Sequence, residues 1–325
     1  MKNFLRIFSA AAILAAMLCL VVFPDRYISV AREGIELWAT AVLPSLFPFF
    51  FLTLALTTLG VLDNFTRTAA PVTEKLFRCG GVSAYVFMMS ALSGYPVGAR
   101  LIAELKTKGN IEKDEATRMA ALCSTSGPLF VAGTVGVNMY GDKKIGTLMF
   151  ASHIMSAIIC GIIFGRIGNF NKTATLPAAR KTTDNLLYEC IHSSVISVLC
   201  VGGFICIFYL LARILADFKI LYPLIALFEK IFSKTGYCET VSNGIAFGLI
   251  ECTNGCKILS AAVTPLSASL SCALISFGGL SVAFQSAVYL SKANADLKIF
   301  FLSKALQMVI SFGLCFFLLK VFNVF

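Results

Sequence analysis

Apolar residues fall along the chain in runs of two kinds. Five runs are unbroken, at roughly 5–23, 36–60, 144–165, 187–212 and 298–320. Each has the length that carries an α-helix across a bilayer. Two further regions, about 82–139 and 238–291, are as apolar but each is interrupted twice by Gly, Ser, Pro or Asn. An amphipathic stretch precedes each broken region, at 64–81 and 217–232. The same order therefore occurs twice: span, surface helix, hairpin, broken span, span.

Short identities support a repeat. Gly98-Ala99-Arg100-Leu101-Ile102 parallels Gly255-Cys256-Lys257-Ile258-Leu259, and the stretch 122–133 parallels 274–284. If the segments 115–140 and 264–290 each cross, each repeat crosses three times. An odd number turns the second repeat upside down relative to the first, the plan of many secondary transporters. With Lys2 and Arg6 inside, the loops bearing Arg67, Lys75 and Arg78, then Arg166, Lys172, Arg180 and Lys181, then Lys292 and Lys298, also fall inside. Arg26, Arg32, Lys143, Lys144, Arg213, Lys219, Lys230 and Lys234 fall outside, so the positive-inside bias favours this orientation. The expected fold is an all-α polytopic membrane protein of about seven crossings and two re-entrant hairpins. Its N-terminus is cytoplasmic and its C-terminus outside. The parts are an N-terminal transmembrane helix (1–30), a first repeat (31–166), a cytoplasmic linker (167–184) and a second, inverted repeat (185–325). Lys2 and Arg6 precede an apolar run as in a signal peptide, but no small-x-small cleavage site follows, so the run reads as a retained helix.

Composition agrees. The 325 residues are 58% hydrophobic and only 14% charged, where soluble domains carry about 25% charged residues. Mean hydropathy is +0.85. A net charge of +10 could suggest nucleic acid as a partner, but the basic residues are dispersed among loops, where membrane topology accounts for them. Most of the 12 cysteines sit within apolar runs as small hydrophobes. Cys252 and Cys256 lack the further ligands a zinc site needs, and no disulfide scaffold is expected. No phosphate-binding loop and no Ser/His/Asp set is present, so neither an enzyme nor a cofactor is expected. The expected partners are a small anionic substrate, the lipid bilayer and further copies of the chain.

The chemistry concentrates at the breaks. Backbone cannot be left unpaired in lipid, so each break calls for a polar cavity lined by protein. The four breaks are Ser93-Gly94-Tyr95-Pro96-Val97-Gly98, Ser124-Thr125-Ser126-Gly127-Pro128, Glu251-Cys252-Thr253-Asn254-Gly255 and Ser276-Phe277-Gly278-Gly279. Ser126 suits an N-cap with Pro128 in the first turn, and Pro96 suits the first turn of a returning arm. Thr253 or Asn254 suits the cap of the arm through Lys257, and Gly278 and Gly279 free the backbone at the fourth break. Four half-helix N-termini facing one cavity offer partial positive charge and free N–H groups, a setting for an anion.

Arg100 and Lys257 lie one turn past the first and third tips. An intramembrane charge costs about 2.5–3.5 kcal/mol on insertion scales, so each has a partner or a task. Arg100 either pairs with Glu104 or meets substrate, and Lys257 either pairs with Glu251 or meets substrate. Glu251 orients helices, carries a coupled proton or accepts a substrate hydrogen bond. Uniport, proton coupling through Glu251 and Na+ coupling at broken-helix carbonyls are all open. His153 and His192 read as satisfied interior residues. Tyr95 either stacks on a substrate ring or anchors packing. Asn138, Asn243 and Gln285 either line the path or join helices, and Trp38 suits an interface belt.

The stretches SALSGYPVGARLIAEL, LCSTSGPLFVAGTVG and FGLIECTNGCKIL resemble those of the YlbJ-type sporulation integral membrane proteins. These belong to the wider nucleoside-recognition or Gate-domain group, related in plan to concentrative nucleoside transporters. The resemblance covers about 35–320 and makes the two repeats Gate-like. It implies a role in spore formation, moving dipicolinic acid across the outer forespore membrane. Dipicolinate is a planar dianion, which suits the anion argument: its carboxylates would meet half-helix N-termini, with Arg100 or Lys257 nearby and Tyr95 facing the ring. A nucleoside carrier of this plan is expected to show Gln/Glu-type groups at the first tip, and this tip has none. The Glu251-x-x-Asn254 pair does look like a nucleoside-carrier feature, so a nucleoside or other small metabolite is the second reading. A non-transporting sporulation scaffold is the third.

Overall fold

The computed structural model describes residues 2–59, 63–168 and 185–325, and all regular structure among them is helical. The expected linker, with Lys172, Arg180 and Lys181, lies almost wholly outside the described residues. The first half contains α1 (Lys2–Val22), α2 (Pro24–Leu37) and α3 (Leu43–Thr58), the last two joined by a π-helical turn at Trp38–Val42. It continues through α4 (Asp63–Phe77), α5 (Val82–Ser93), α6 (Val97–Thr107), α7 (Lys113–Leu122), a π-helix at Leu129–Met139 and α8 (Lys143–Phe164). The second half contains α9 (Leu186–Asp217), α10 (Tyr222–Phe232), α11 (Cys238–Ile250) and α12 (Cys252–Leu259). It ends with α13 (Pro265–Phe277), α14 (Gly279–Lys292) and α15 (Leu297–Val321).

Among the described residues five helical stretches are long and apolar enough to cross a membrane: Pro24–Leu56, Lys143–Phe164, Leu186–Asp217, Pro265–Lys292 and Leu297–Val321. The protein is thus a multi-pass, all-α membrane protein. A sixth candidate, Thr66–Phe77 with Val82–Ser93, is bent by 92°. Two of the expected seven are not among these. The expected span 5–23 is described in full only from Ile13, and Ile13–Val22 is shorter than a crossing. The second break divides 115–140 into helices of 10 and 11 residues, each about half the hydrocarbon thickness in length. The bend between α4 and α5 needs glycine at its corner, because a Cβ on Gly81 would sit 2.6 Å from the Thr66 carbonyl oxygen. Helix α10 has no buried residue and lies on the surface, as its amphipathic pattern suggests.

The centre of the bundle is the α13–α14 segment. In its most apolar window 78% of residues are buried, against 28–44% in the other four spans, whose outer faces expose residues such as Ile207, Leu302, Val309 and Phe317. Hydrophobic attraction between helices is absent in lipid, so close packing and polar contacts must hold such a bundle together. The centre is accordingly rich in small residues. Ser152, Ser269, Ser303 and Ser311 are buried and return their hydroxyl hydrogen to a carbonyl of the preceding turn.

Helices of the first half pack on helices of the second in several pairs. Helix α6 packs on α14, and α12 packs on the Leu129–Met139 π-helix. Helix α8 packs on α13 as α15 packs on α7, while α3 meets α9 and α8 meets α15. Each half also closes a hairpin on itself, α5 on α6 and α11 on α12.

Candidate functional site

The four breaks meet at the centre. At the first, α5 ends at Ser93, whose Oγ donates to Thr53 Oγ1 at 2.7 Å. Gly94 then takes a φ of +83°, a region only glycine enters freely. The Tyr95–Pro96 peptide is cis, and α6 starts at Val97. Gly98 lets this arm lie on the second break, because a Cβ there would run into the Cys123 carbonyl oxygen. At the second break Thr125 donates its backbone N–H and its hydroxyl to Ser90 Oγ, at 3.1 and 2.9 Å. At the fourth, Gly278 and Gly279 follow one another at φ +87° and +66°, which breaks the span without lengthening it.

Between the tips lies a small, partly open cavity of about 40 Å³. Its polar lining comes from Tyr95, Ser126, Glu251, Thr253 and Gln285, and Ile275 beside Ser276 closes it from the fourth break. This volume holds a few waters but no carboxylated ring.

Glu251 is 1% exposed. Its Oε1 accepts from the Thr253 N–H at 3.1 Å and its Oε2 from the Asn254 N–H at 2.7 Å. Glu251 itself is therefore the cap of α12, and neither Thr253 nor Asn254 caps that arm, contrary to expectation. The carboxylate reaches the first free N–H groups because it stands directly before the helix. One of the four expected anion-seeking helix ends is thus filled by the chain's own carboxylate. Ser126 also departs from expectation, since the π-helix has no side-chain cap. Its backbone N–H instead donates to His153 Nε2 at 2.8 Å. That nitrogen must accept, so Nδ1 carries the hydrogen towards Ser276 Oγ, 2.8 Å away. His153 is satisfied, as expected, and it ties the second break to the fourth.

The two basic residues chosen from the sequence do not line the cavity. Arg100 does not pair with Glu104, which instead binds Lys108 at 2.7 Å. Its guanidinium donates to Ser197 Oγ at 2.9 Å and Ser193 Oγ at 3.0 Å, both on α9. Lys257 is exposed, and Glu251 holds backbone N–H groups rather than its ammonium. Lys257 lines a separate vestibule of about 630 Å³ with Glu33, Tyr209, Arg213, Asp217 and Asn254. An arm of helix carries its side chains around its axis, and one turn past the tip the direction is set by the rotation of the arm. His192 is exposed and stacks on Tyr188 rather than lying in the interior. Asn138 is exposed, and Asn243 donates to the Glu239 carbonyl at 2.9 Å beside the vestibule. The Trp38 ring lies against Gly202 of α9 between two helices.

A basic residue that the sequence reading passed over does reach the tips. Lys304, on α15, is 1% exposed. Its Nζ donates to the Tyr95 hydroxyl at 2.7 Å, the Ser124 carbonyl at 2.9 Å and Gln307 Oε1 at 2.6 Å. The Tyr95 hydroxyl in turn points at the Ile275 and Ser276 carbonyls, 3.4 and 3.3 Å away. One side-chain network thus joins the first, second and fourth breaks. The available signal was a lysine and a glutamine three residues apart within an otherwise apolar span. All 12 cysteines are free, and among the described residues no three His, Cys, Asp or Glu side chains gather as a metal site.

No family model matches the chain, and no solved structure matches it. The sporulation integral membrane protein YlbJ of Bacillus subtilis (strain 168) is 27% identical over 307 residues, which cover 87% of this chain and 75% of that protein. The chain is a homologue of this protein, YlbJ-type in sequence and multi-pass in structure.

Proposed function

We propose that the chain is a sporulation membrane transporter for a small organic anion, dipicolinic acid, carried across the outer forespore membrane from the mother cell. The observation that carries this reading is the convergence of three helix breaks on one small cavity, closed by Ile275, Val282 and Gln285 from either side of the fourth. Broken helices are tolerated in a membrane where they line a path, and transporters of inverted-repeat plan place their sites there. The exchange of partners between the halves, α6 on α14 and α12 on the Leu129–Met139 helix, supports two Gate-like repeats in opposite orientation. Their hairpins α5–α6 and α11–α12 would then be re-entrant, with the N-terminus cytoplasmic. The YlbJ relative supports the sporulation role.

Anion preference rests on Lys304, whose three hydrogen-bond acceptors are all neutral, and on the uncapped starts of α6, the π-helix and α14. The small cavity must widen to admit a ring. Glu251 and Gln285 in the lining favour a second reading, a neutral hydrogen-bonding metabolite such as a nucleoside. Uptake of labelled dipicolinate and labelled uridine into proteoliposomes of the full chain separates them. Dipicolinate accumulation is expected. Uridine accumulation alone overturns the substrate, and uptake of neither, under several ion gradients, leaves the scaffold reading.

A further inference from the structure

The surroundings of Lys304 have the form of a cation site. An ammonium has three N–H donors, and here they meet three oxygens at 2.6–2.9 Å. Among the described residues none of the hydrogen-bond partners of Lys304 is an Asp or Glu. Such a neutral oxygen cage is unusual for a buried lysine, which ordinarily pairs with a carboxylate.

The origin of the oxygens matters. Ser124 belongs to the unwound segment between α7 and the π-helix, so its carbonyl is one that the helix leaves unpaired. Tyr95 belongs to the tip of the first hairpin, and Gln307 to α15. Unwound carbonyls in broken membrane helices are where a coupling Na+ or proton is coordinated. In this chain those oxygens already hold an amino nitrogen, one that is covalently part of α15.

We propose that Lys304 is a tethered cation: its ammonium occupies the position of a coupling Na+ at the helix break, so that the first hairpin, the second break and α15 are held together without an ion from solution. Its amino group stands behind Tyr95, which lines the cavity, whatever the external Na+ concentration. The consequence for flux rests on the transporter reading above, whereas the cation site itself does not.

Thermal unfolding of the purified full chain tests the site without any substrate. K304A removes the ammonium and leaves the oxygen cage. Its melting temperature is expected to lie below that of the wild type. Methylammonium or Na+ should recover it by several degrees, tetramethylammonium should not, and the wild type should respond to none of them. A K304A response to methylammonium and Na+ no greater than that of the wild type overturns the proposal. K304M keeps the stem and drops the charge, and a K304M protein that melts like the wild type overturns it as well. The second arm needs no variant: wild-type uptake is expected to be equal in sodium and choline buffers, and a strict requirement for Na+ overturns the tethered cation. If the wild type moves no substrate in any buffer, the transporter reading fails while the melting experiments still decide on the cation.

Discussion

The two hairpins share a backbone plan and differ in charge. In each, a glycine on the returning arm permits contact with a neighbouring backbone: Gly98 against the Cys123 carbonyl and Gly255 against Gly248. Yet the arm after the first tip starts without a side-chain cap, while a lysine stands behind its tyrosine. The arm after the second tip starts on a buried carboxylate that satisfies its first N–H groups. Similar backbone packing in the two hairpins therefore does not bring similar electrostatics. Close packing is met by glycine in both, while the polar groups at the two tips differ.

The largest expected effect breaks the shared part. G98L and G255L should each prevent a monodisperse protein in size-exclusion chromatography. Overpacking typically costs about 1–3 kcal/mol, and here the obstacles are backbone atoms. A folded G98L protein would show that the first hairpin does not need its close approach. Next comes Y95F, which deprives the Lys304 ammonium of one acceptor and is expected to destabilise by about 1–3 kcal/mol, read as a lowered melting temperature. G255L and Y95F act on different hairpins, so their effects should not interact in a double variant.

E251Q sharpens the comparison from the other side. The cap loses one of its two acceptor oxygens, at about 0.5–2 kcal/mol, and the cavity loses a negative charge. Dipicolinate uptake should be kept or raised, because repulsion is removed, whereas a nucleoside carrier should lose uridine uptake. The smallest effects belong to the basic residues that the geometry takes out of the cavity. R100A gives up two serine contacts and should cost about 1 kcal/mol. K257A, on an exposed residue, should stay within about 0.5 kcal/mol. Abolished uptake in R100A with unchanged melting would return Arg100 to the substrate path.

What could be read from the chain follows from what is local. Broken spans show as Gly, Ser and Pro within apolar runs, and the order of elements shows because each element has its own length and period. The four breaks could be named residue by residue on that basis. The placement of Arg100 and Lys257 could not, because a residue one turn beyond a tip faces whichever neighbour the rotation of its helix dictates. The cap on α12 was misassigned for a related reason. Ser, Thr and Asn are the usual caps, and only the extended backbone at Glu251, with φ −137° and ψ 111°, turns its longer carboxylate back onto the helix.

By itself the sequence determined the helical class, the membrane setting and the points where helices must break. All of these depend on hydropathy and backbone freedom over a few neighbouring residues. Tertiary structure alone decided which charge stands among the breaks. Lys304 is more than 200 positions from Tyr95 and 180 from Ser124, and contacts between such distant residues are set by how α15 packs against α13 and α8, not by any pattern along the chain.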